Sequence, residues 1–123
     1  MNQTHEEEVV RDYVQGWKEQ NGAKVLSTLH PDCVLIESDG AIIRGAKAII
    51  RSLERRIAGE YGPWKIDRWD INTLAASGEL CFLEWTFEGR HSFEGASVVR
   101  FKDAKIIHLR EYRTTQPLYE TND

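Results

Sequence analysis

Hydrophobic positions recur at helical spacing through the first half of the chain and alternate through the second. Val9, Val10, Tyr13, Val14 and Trp17 fall on one helical stripe, and Thr4 with Glu7 three residues on forms a capping box ahead of it. The acidic run Glu6-Glu7-Glu8 then lies in the first turn, where it complements the helix dipole. Asn21-Gly22 breaks this helix, and residues 23–29 form a short second one, closed by His30-Pro31 because the residue before proline leaves the helical region. Cys33-Val34-Leu35-Ile36-Glu37 reads as a short strand, Ser38-Asp39-Gly40 as a turn and Ile42-Ile43-Arg44 as an edge strand. Gly45 opens a third helix whose inner stripe is Ala46, Ile49, Ile50, Leu53 and Ile57; Gly59 and Gly62-Pro63 end it.

From Trp64 the period changes to two. Residues 64–75 form one strand, Ser77-Gly78 a hairpin signal, and residues 79–88 a strand with Cys81, Leu83, Trp85 and Phe87 on one face and Glu84, Thr86 and Glu88 on the other. A strand over 92–102 turns at Asp103-Ala104 into the last one, where alternation puts Ile107, Leu109, Glu111 and Arg113 together. The plan is α+β: three N-terminal helices packed on one face of a curved, mostly antiparallel sheet, enclosing a pocket. The tail from Gln116 to Asp123 either folds back through Leu118 and Tyr119 or frays.

Composition narrows the function classes. A chain of 123 residues is the size of a single domain, and a net charge of −4 with scattered Lys and Arg argues against a nucleic-acid partner. Cys33 and Cys81 stand alone, which fits reduced, half-buried thiols better than a disulfide or metal site. None of the four histidines has ligand spacing, so no zinc or iron site is expected. There is no nucleophile elbow, phosphate loop or dinucleotide fingerprint, so no cofactor is expected. The N-terminus is polar and acidic, no apolar run reaches membrane-spanning length, and the expected location is cytoplasmic.

One carboxylate stands out. Glu111 lies on the apolar face of its strand, where a carboxylate is neutralised, paired or used. It is either a desolvated proton carrier or the partner of Arg113, two residues on; Arg113 could instead bind a ligand carboxylate through its planar fork. Glu37 either points into the same pocket as a base or lies at the exposed end of its strand. Tyr13 has its body in the core in either case, with a hydroxyl that needs a partner. Trp17, Trp64, Trp69 and Trp85 either line an aromatic cavity or fill the core.

Four local motifs in order carry a resemblance. They are Leu29-His30-Pro31-Asp32-Cys33-Val34, Arg44-Gly45-Ala46-Lys47-Ala48-Ile49, residues 98–106 from Val98-Val99-Arg100 to Ile106, and Leu109-Arg110-Glu111-Tyr112. The chain resembles the nuclear transport factor 2-like (NTF2-like) superfamily of cone-shaped α+β domains, in particular its SnoaL-like, polyketide cyclase-like branch. That superfamily holds steroid isomerases, cyclases, epoxide hydrolases and members without known activity, so fold alone does not deliver function.

Position by position, the resemblance implies a general base at Glu37, a hydrogen-bonding tyrosine at Tyr13 and an acid/base carboxylate at Glu111. Ser97 stands where the isomerases place a protonated aspartate. The resemblance further implies a homodimer through the outer face of the sheet, with Glu84, Thr86, Glu88, Arg100, His108, Arg110 and Tyr112. The expected protein binds a small hydrophobic ligand, with Glu111, Glu37 and Tyr13 as catalytic groups and Trp17, Trp85, Ser97 and Arg113 as binding groups. The competing expectation is a non-catalytic binding or dimerisation module of the same fold. A trafficking role has no support beyond the fold.

Overall fold

The computed structural model describes residues 3–114 and residue 121. The elements run α1 (His5–Lys18), α2 (Gly22–Thr28), β1 (Leu29–Ile36), β2 (Ile42–Arg44), α3 (Ala46–Ile57), β3 (Ile66–Ser77), β4 (Leu80–Gly89), β5 (Ser92–Lys102) and β6 (Lys105–Arg113). One six-stranded open sheet has the order β2-β1-β6-β5-β4-β3, antiparallel throughout except for β1 against β6. The helices do not all precede the strands, because the β1–β2 hairpin is inserted between α2 and α3. The expectation for the tail around Leu118 and Tyr119 lies outside the described residues.

Thr4 caps α1 as expected: its Oγ1 accepts from the Glu7 backbone N–H at 3.1 Å, while the Glu7 carboxylate accepts from the Thr4 hydroxyl at 3.3 Å rather than from the backbone N–H that a full capping box would use. The stripe of α1 buries Val10, Tyr13, Val14 and Trp17. Asn21, expected only as a breaker, also caps α2 by accepting from Lys24 N at 3.1 Å. α3 buries Ala46, Ile49 and Leu53, but Ile57 is exposed. The spacing 46, 49, 53 continues to Arg56 rather than to Ile57, so the inward place in the last turn belongs to an arginine.

In the sheet, Cys81, Leu83 and Trp85 of β4 are buried together with Val99 and Phe101 of β5. Both cysteines are free and more deeply buried than half; burial pushes Cys33 up to about 12 and Cys81 up to about 11. β1 starts four residues earlier than Cys33 because an irregularity between Leu29 and Val34 lets the chain pair with β6 on both sides of it.

A second irregularity corrects the alternation in β6. Phe101 pairs with Ile106 but Arg100 pairs with His108, so Ile107 is an extra residue. Ile106, not Ile107, takes the core position, and the phase is restored at Leu109, opposite Val99. The final turn has Asp103 at φ 54° and Ala104 at φ 63°, left-handed at both central residues as a two-residue hairpin requires.

Candidate functional site

The parallel pair builds the site. Ile36 of β1 stands opposite Arg110 of β6, and continuing that register by one residue brings Glu37 level with Glu111. Leu35 and Leu109, two residues back, are an in-register pair and both buried, so the two carboxylates follow on the core-facing side. The hairpin holds Glu37 in place, its N–H donating to Ala41 O at 2.8 Å. Both carboxylates line a cavity of about 180 Å³ between the helices and the sheet, with Tyr13, Trp17, Arg56 and Arg113.

Arg56 is the residue that sequence reasoning missed. Its Nη2 donates to both Glu37 oxygens, at 2.5 and 2.6 Å, and its guanidinium lies 5.5 Å from the centre of the Trp17 ring. The legible signal was the 3-4-3 spacing of Ala46, Ile49, Leu53 and Arg56, which places an arginine on the buried stripe of α3. Glu37 is thus one half of a fixed ion pair at the cavity wall.

Glu111 behaves differently. It opens onto the cavity, yet protein surrounds its carboxyl group, and this desolvation is the main cause that raises its pKa from 4.5 to about 8. The charge of Glu37 raises it further, Arg56 opposes, Asp39 raises it slightly, and the backbone N–H of Ser38 favours the ionised form. The alternative, a pair with Arg113, does not form: among the described residues no ion pair includes Arg113. The Arg113 guanidinium lies instead 5.3 Å from the centre of the Phe93 ring.

Tyr13 is buried, and its pKa is raised well above 10, first by burial and then by Glu111, Cys33 and Glu37. It stays a neutral phenol and therefore a hydrogen-bond donor. The Trp17 indole N–H approaches Tyr13 closely enough to oppose that rise but, among the described residues, meets no acceptor in hydrogen-bond geometry; the Trp69 N–H is likewise buried without an acceptor among them.

All four tryptophans line the cavity with Phe87 and Phe93. Trp69 meets Trp85 edge-on at 6.1 Å and Phe87 at 6.2 Å, while Phe87 stacks on Phe93 at 5.1 Å. Ser97 is the correction among the binding residues. It is buried behind Trp85, whose Nε1 donates to its Oγ at 2.9 Å, and it does not line the cavity. Its role is to fix an indole wall.

Residues 10–109 match the SnoaL-like domain family. The chain belongs to that family. Glu111 and Arg113 stand just past the matched segment, so their place in the site rests on the geometry above.

Solved structures support the wider NTF2-like fold of this SnoaL-like domain. An LEH-like epoxide hydrolase from M. tuberculosis superposes with a TM-score of 0.77 at 19% identity, covering 89% of this chain and 83% of that one. An NTF2-like protein of unknown function from Cytophaga hutchinsonii gives 0.74 at 12% identity, covering 97% and 98%. A protein of ketosteroid isomerase-like fold from Catenulispora acidiphila, solved in complex with trimethylamine, gives 0.74 at 17% identity over 85% and 84%. At these identities the likeness is one of fold. No curated protein matches the sequence. No helix among the described residues is long and apolar enough to cross a membrane.

Proposed function

We propose that this SnoaL-like domain is a small-molecule pocket enzyme that moves a proton without a cofactor, on a small and largely apolar carbonyl or epoxide substrate. The observation that supports it is the Glu111 carboxyl held at about 8 inside an aromatic-lined cavity. At neutral pH such a group is largely protonated and can both give and take a proton. Tyr13 donates a hydrogen bond to substrate oxygen, and the indoles enclose the apolar part. The Glu37–Arg56 pair sets the field at Glu111 rather than reacting itself.

The reading is tested by following proton–deuterium exchange at the carbon next to the carbonyl of cyclohexanone, and hydrolysis of cyclohexene oxide, with the protein and with Glu111→Gln. Exchange or hydrolysis above background that Glu111→Gln abolishes supports it. Equal rates for the two proteins in both assays overturn it and leave a binding module of the same fold.

We also propose that two copies associate through the outer face of the sheet. Phe82 and Tyr112 are exposed there, diagonal to each other across β5, and the Arg110 guanidinium covers the Tyr112 ring at 4.9 Å. Light scattering should report a dimer that Phe82→Asp with Tyr112→Asp converts to a monomer; a monomeric parent protein removes the proposal.

A further inference from the structure

The cavity carries information about its ligand beyond the chemistry proposed for it. Of the two arginines that line it, Arg56 is engaged by Glu37. Arg113 enters no ion pair among the described residues. It rises from the end of β6, and its guanidinium lies over Phe93, which is itself a wall of the cavity. Resting on a ring face leaves the N–H edges of the fork available, the geometry that suits a carboxylate.

Arg113 is also two residues beyond Glu111 on the same side of the strand, so its backbone lies about 6–7 Å further along toward solvent. That offset is close to the length of one six-membered ring with a short arm. The volume agrees. A dry cavity of about 150 Å³ accommodates benzene, and the cavity here is about 180 Å³. Its walls enclose one ring with a small substituent, and most of a fused four-ring skeleton would project beyond them.

Resting on the pocket reading above, we propose that the ligand is a single-ring organic anion, a cyclic or aromatic carboxylic acid. Its ring lies among the indoles, its reacting end points to Glu111, and its carboxylate is held by Arg113 at the mouth.

The test uses unreactive probes, so that it does not depend on turnover. Phenylacetate, the uncharged phenylacetamide and the four-ring carboxylate cholate are titrated at neutral pH by calorimetry, with tryptophan fluorescence as a second signal. Phenylacetate should bind roughly ten-fold more tightly than phenylacetamide, and cholate should not compete. Arg113→Gln, at an exposed position, should keep the fold by circular dichroism, retain phenylacetamide binding and lose the ten-fold preference. Glu111→Gln should keep that preference even though it abolishes the proposed proton transfer, so the two readings fail separately. Equal affinity for the acid and the amide, a preference that survives Arg113→Gln, absence of binding by either single-ring probe, or competition by cholate would each overturn the proposal.

Discussion

Arg56 on α3 and Glu37 at the end of β1 form a half-buried ion pair in which one guanidinium nitrogen serves both carboxylate oxygens, at 2.5 and 2.6 Å. The pair sits beside a third ionisable group, Glu111, and its two halves act on that group in opposite directions. Removing either half therefore gives a signed prediction. Arg56→Gln withdraws a cation and should move Glu111 above about 8. Glu37→Gln withdraws an anion, frees Arg56 toward Glu111, and should move it below that value. Carboxyl-carbon NMR titration, with Glu111→Gln to assign the signal, measures both. Shifts of the same sign in the two variants would show that the three groups do not share one field.

Glu111 should also make stability depend on pH. Its pKa is 4.5 in an ordinary setting and about 8 in the fold, so between these values the folded state binds more protons than the unfolded. The stabilising contribution of the protonated form is complete below the lower value and is lost as pH rises, at up to about 1.4 kcal/mol per unit, until about pH 8. Denaturant unfolding of the parent and Glu111→Gln at pH 5, 7 and 9 isolates this group from the others. The variant should gain on the parent by a few kcal/mol across the series, and parallel curves would mean that Glu111 is not desolvated.

The final hairpin holds Ala104 in the left-handed region, a conformation that costs an L-residue about 1–2 kcal/mol and glycine almost nothing. Glycine gives back part of that gain, about 0.4–1 kcal/mol, through the entropy of the unfolded chain. Ala104→Gly should still stabilise by about 0.5 kcal/mol, seen as a Tm higher by one or two degrees. A lower Tm would show that Ala104 makes contacts that outweigh its backbone strain.

Gly95 faces Trp85 across the β4–β5 pair, and a Cβ there would collide with the indole ring and with the Tyr112 carbonyl. Neither a paired strand nor an indole packed against Phe93 and Trp69 can give way cheaply. Gly95→Ala should cost about 1–3 kcal/mol by overpacking and displace one cavity wall. Calorimetric unfolding together with phenylacetate titration follows both effects. A variant as stable as the parent would mean that the wall is soft.

The amino-acid sequence alone determined the elements whose logic is local. The α1 stripe, the helix cap at Thr4, the alternation of Cys81, Leu83, Trp85 and Phe87, and the turn at Asp103-Ala104 all follow from backbone periods of 3.6 and 2 and from short-range hydrogen bonds. The side of β6 that carries Glu111 was legible for the same reason.

The extra residue at Ile107 was not, because a bulge depends on what the neighbouring strand offers opposite it. Nor was the partner of each charge. Arg113 is two residues from Glu111 and does not pair with it, whereas Arg56 is 19 residues from Glu37 and does. Glu37 and Glu111 come level only because β1 and β6, the first and last strands in sequence, lie parallel in one register. Sequence spacing decides which face a side chain occupies; which charges meet on that face, and hence which carboxyl stays protonated, is decided by strand order and helix rotation in the assembled fold.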